Sequence, residues 1–90
     1  MHTSTPDFRL RTPRNQIEQI EAEALIEAVN SLPAGETLPV SVPVIVIDWD
    51  TNSIADHAFV SGSIATVVKL KNSPTVAVFT TGEVLELAFR

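Results

Sequence analysis

Leu38-Pro39-Val40-Ser41-Val42-Pro43-Val44-Ile45-Val46-Ile47-Asp48 is the stretch whose reading decides the fold. Its first half alternates apolar with polar or proline positions, the two-residue period of a half-buried strand. Pro39 and Pro43 share the parity of Ser41. Proline has no N–H to give to a ladder, so that half must be an edge or a lead-in. Val44 to Ile47 is apolar at every position and reads as the central part of the strand.

Downstream of this strand the chain stays rich in β-branched residues, which suit a pleated, half-buried surface. Asp50-Thr51-Asn52-Ser53 predicts a turn, followed by a second strand over about Ile54–Val60. Ser61-Gly62-Ser63 predicts another turn, and Ile64–Lys71 a third strand. After Asn72-Ser73-Pro74 come a fourth strand over Thr75–Thr80, a short Thr81-Gly82 connection and a fifth over Glu83–Phe89. Strands spaced this closely imply an antiparallel meander over about 38–89.

Upstream, Asn15 is a good N-cap and Glu18 stands three residues later, a variant of the capping box. The helix this starts is expected over about 15–31, stopped by Pro33 and Ala34-Gly35. At about 100° per residue, Ile17, Ile20, Ala24, Leu25, Ala28 and Leu32 form an apolar arc that Ala22, Ile26 and Val29 extend past half the circumference. A surface helix carries a narrower stripe. One side is therefore expected to meet the sheet and the other a partner, with Ile26, opposite Ile17 and Ala28, as the exposed apolar member. Residues 1–14 read as an extended basic arm: Pro6 and Pro13 disfavour regular structure, and Phe8 and Leu10 alternate with Arg9 and Arg11. Beyond the arm, residues 15–90 form a single domain. The fold class expected is α+β: arm, one helix, then about five antiparallel strands in a small sheet or partly open barrel.

The charge of −5 is unevenly placed. Arg9, Arg11 and Arg14 make the arm basic, whereas residues 15–68 carry eight carboxylates and no Lys or Arg. An acidic body argues against attraction to nucleic acid or anionic lipid. No apolar run approaches the ~20 residues of a membrane-spanning helix. The N-terminus has no apolar core of a secretory signal, which gives a cytoplasmic or virion location as the expectation. Without cysteine there is no disulfide framework, thiolate metal site or thiol nucleophile.

Few residues suggest chemistry. Asp48-x-Asp50-x-Asn52 with Asp56 opens like a calcium loop, but Ser53 replaces the glycine and Phe59 the terminal glutamate such a loop needs. Neither a metal nor a cofactor is expected, and the stretch reads as a turn held by local Asx hydrogen bonds. Asp56 and His57, adjacent on a strand, point to opposite faces and do not converge as a catalytic pair. Gly35, Gly62 and Gly82 all fall in expected turns and form no phosphate-binding motif.

These readings favour a non-catalytic, self-associating interaction or assembly protein, partnered by itself and by another protein. Its interaction residues would be Phe8, Arg9, Leu10, Arg11, Arg14 and Ile26. A phage or viral structural protein of the decoration kind, or an accessory protein, suits this size by analogy of architecture. Two alternatives stand beside it. One is a small-ligand or nucleotide-sequestering binder with its pocket at an oligomer interface, using Asp48, Trp49, Asp50 and His57. The other is an acidic inhibitor of a nucleic-acid-binding protein. A metal-dependent enzyme on the same acidic loop ranks last.

Overall fold

The computed structural model describes residues 8–48, 50–51, 53–69 and 71–89. In chain order these form β1 (Phe8–Leu10), α1 (Gln16–Asn30), β2 (Leu38–Asp48), β3 (Ser53–Val68), β4 (Val76–Phe79) and β5 (Val84–Phe89). The strands close into one barrel in the order β1-β2-β3-β4-β5. Neighbours pair antiparallel, except that β1 and β5 meet in parallel and complete the ring. The expected α+β class with one helix and five strands is the one observed.

The stretch from Leu38 to Asp48 forms one strand with the expected bounds. From Leu38 to Val44 its even-numbered residues face inward: Val42 and Val44 join Leu10, Val60, Ile64, Ala77, Phe79 and Leu85 in the barrel core. Ile45 is 1 % exposed although it lies on the other face, beside Arg9 in register. Arg9 Nε sits 2.6 Å from Glu86 Oε1, an ion pair that ties β1 to β5.

Three expectations need correction. The meander's second and third strands are one: β3 runs straight through Ser61-Gly62-Ser63, with Gly62 opposite Val40. Gly62 is there for space, because a Cβ on it would stand 3.2 Å from Cδ1 of the buried Phe79 ring. The missing strand comes from the arm, where Phe8–Leu10 pairs with β2 on one side and β5 on the other. With that addition the barrel is closed, not partly open.

The third correction concerns the helix. Asn15 caps it as expected, its Oδ1 accepting the Glu18 N–H at 2.9 Å. At the other end Lys69 Nζ donates to the Asn30 carbonyl at 3.0 Å, placing a cation at the negative end of the helix dipole. The two apolar sides are reversed, however. Val29 is buried in the core, and Leu25, Ile26 and Leu32 pack against it. Ile17 and Ile20 face outward, 71 % and 59 % exposed. Ile26 is thus an inner residue, because the sheet takes the side opposite Ile17.

Candidate functional site

A half-open groove of about 520 Å³ lies between α1 and the opening half of β2. Its helix wall includes Ala22, Ala24, Leu25 and Ala28, and its strand wall runs from Leu38 to Pro43. The small alanines of the helix wall leave open space opposite Pro39 and Pro43. Phe59, 64 % exposed, stands on the rim.

One end of the groove is polar. Glu18 accepts from Arg11 Nη2 at 3.1 Å, from Arg14 Nη2 at 3.0 Å and from the Arg14 N–H at 3.0 Å. The variant capping box therefore turns its carboxylate toward the arm. These bonds, chiefly from the Arg14 side chain and then its backbone, bring the Glu18 carboxyl down to about 2. The same hydrogen bond raises Arg14 above its ordinary value. Arg11 Nε is buried without a hydrogen-bond partner.

The arm residues singled out from the sequence are engaged within their own chain. Leu10 is 1 % exposed and Phe8 packs against the barrel core. Arg9 pairs with Glu86, and Arg11 and Arg14 with Glu18. An arm that lies across a neighbour through Phe8 and Leu10 is replaced here by a strand inserted in its own barrel.

The residues considered for ligand binding do not gather. Asp48, Asp50 and His57 are exposed and do not line the groove, and Trp49 lies outside the described residues. Asp48 Oδ1 accepts the Asp50 N–H at 3.0 Å, the local Asx bond expected of a turn. Asn52, the third position of the calcium-like pattern, is likewise outside the described residues. Asp56 Oδ1 accepts the backbone N–H of His57 at 2.8 Å.

Sequence reasoning missed Ile17, Ile20 and Phe59 as the outward apolar set. The two isoleucines belonged to an arc whose inner side periodicity alone does not fix. Phe59 has the odd parity of Pro43, its partner across the ladder, and that parity was a readable sign that it faces away from the core. Compared with protein-family models, curated proteins and solved structures, the chain finds no match. Among the described residues, no helix is long and apolar enough to cross a membrane.

Proposed function

We propose that this is a non-catalytic, self-associating assembly protein. The observation that carries the reading is the outward apolar set: Ile17, Ile20 and Phe59 each expose more than half of their surface, in a chain of only 90 residues. Each large aliphatic or aromatic side chain gains about 1.5–3 kcal/mol when fully buried. Exposure of this size on a small chain, with Phe59 also on the rim of a half-open groove, supports a surface made to be covered. The virion setting rests on analogy of size and architecture and adds nothing to this support.

Light scattering across a concentration series tests the proposal. The expected mass exceeds the 9.7 kDa of one chain and falls in the double variant Ile17→Glu/Ile20→Glu, with the β signal in circular dichroism retained. A mass of one chain at every concentration overturns it.

The groove itself supports a second reading, a binder of a small apolar ligand. Its volume falls within the range of about 300–1,000 Å³ usual for such sites, and its lining is mostly alanine, valine, leucine and proline. Titration with a fluorescent apolar dye separates the two readings. Saturable binding at one dye per chain, lost in Ala24→Glu, favours the ligand site.

A further inference from the structure

The groove between α1 and β2 is apolar along most of its length, and its polar groups are few enough to follow one by one. The lining residues with polar side-chain atoms are Arg11, Glu18, Ser41 and Glu21. Arg11 and Glu18 bond each other at 3.1 Å, and Arg14 bonds the same carboxylate at 3.0 Å. The Ser41 hydroxyl is held at 3.0 Å by that of Ser61, its partner across the ladder. Glu21 is left. Among the described residues it has no ion pair and no hydrogen bond of its side chain. It stands about one turn beyond Glu18 on α1 and shares a face with Leu25 and Ala28. The helix wall thus begins on a carboxylate and continues on apolar side chains toward its C-terminal end.

Arg11 Nε, buried without a hydrogen-bond partner, at first suggests a preference for an anion. Protein atoms cover it, however, and a nitrogen that water cannot touch is out of reach of a ligand head as well. The remaining charges in the lining are the two carboxylates, and Glu18 is already bonded to Arg11. Arg14 lies outside the lining, with 67 % of its side chain in water. The excess charge in the groove is therefore negative and sits on Glu21. Residues 15–68 hold no Lys or Arg, so neither α1 nor β2 offers it a cation. We infer that the groove takes a small amphipathic amine, with an aliphatic body along Leu25, Ala28 and the β2 wall and an ammonium head on the Glu21 carboxylate. The inference names the ligand class for the groove reading above and rests on it. The body supplies most of the affinity, about fourfold for each methylene buried. The head supplies the selectivity. A ligand that covers Glu21 without a donor strips water from a carboxylate and returns nothing. A carboxylate head adds repulsion, whereas an ammonium brings the opposite charge and three N–H donors.

Calorimetric titration with octylammonium, octanol and octanoate tests this, since the three share one apolar body and differ in the head. Octylammonium should bind about fivefold tighter than octanol, the upper end for an exposed ion pair, and octanoate should bind more weakly than octanol. Glu21→Gln should bring octylammonium and octanol to equal affinity. Glu27→Gln removes the same charge from an exposed position of α1 outside the groove lining, and should leave the preference in place. Equal binding of octylammonium and octanol to the wild type overturns the head-group assignment and leaves an apolar groove. Tightest binding of octanoate overturns it in favour of Arg11. A preference lost equally in both variants belongs to the overall charge of the chain and overturns it too. Failure of all three to bind overturns the inference, and only if the apolar dye also fails does the ligand reading of the groove fall with it.

Discussion

β1 and the lower part of β3 make opposite use of an extended chain. β1 is three residues long, paired on both edges, with Leu10 fully buried. The Ser53–Ser61 run of β3 is longer, paired on one edge, and mostly exposed. Length is thus a poor guide to structural weight. A strand contributes through the edges it satisfies and the side chains it buries. The short segment completes the barrel, and the long one extends beyond the point where β4 begins.

The sharpest way to break this contrast is Leu10→Ala. Removing a buried leucine costs about 2–5 kcal/mol, so denaturant or thermal unfolding should show a large loss. In a domain of this size each kcal/mol shifts Tm by about 4–8 °C. Ile54→Ser, on the open run, should change monomer stability by no more than about 0.5 kcal/mol, as exposed substitutions do. Equal effects would mean that β1 does not close the barrel in solution.

Next in size is Gly62→Ala, which probes where β3 leaves its open run and enters the barrel. The added Cβ meets the buried Phe79 ring at 3.2 Å, and overpacking of this kind costs about 1–3 kcal/mol. A neutral result in chemical denaturation would return Gly62 to the role of a simple turn residue.

Asn15→Ala should cost about 1 kcal/mol by unbinding the Glu18 N–H, read as a lower denaturation midpoint with an unchanged slope. The smallest effect concerns the link from β1 to α1. The folded Glu18 carboxyl lies at about 2, below its ordinary 4.5. Its contribution to stability is therefore present above about 4.5 and lost as pH falls toward 2. Glu18→Gln lacks that contribution at every pH. The Tm difference between wild type and variant should shrink as pH is lowered through this window, and a constant difference would show that the pairing with Arg14 and Arg11 adds nothing.

The parts of the fold legible in the sequence were those fixed by neighbours. Asn15 announced its cap, Leu38–Asp48 its strand, and Thr81-Gly82 its turn, where Gly82 has φ of 95° and Phe79 N–H bonds the Glu83 carbonyl. Phe8–Leu10 was read only as an arm because its partners lie far along the chain. Gly62 signals a turn locally, and only Phe79 from another strand explains it as a gap. Periodicity placed Ile26 and Ile17 on opposite sides of the helix but could not say which side the barrel would take. For the candidate site, the apolar excess of the helix was visible, whereas the groove and the role of Phe59 depended on how α1 leans on β2.

The parallel meeting of β1 and β5 also sets a timetable. Arg9 and Glu86, which join them, are 77 residues apart in sequence. Closing a loop costs more entropy as it lengthens, and folds held by distant contacts form slowly. The β2–β3 hairpin and the helix can assemble as soon as they are made, but the ring stays open until the last strand arrives. During synthesis, Leu10 waits without its β5 neighbours until residues 84–89 have left the ribosome, so barrel closure follows the emergence of the other four strands.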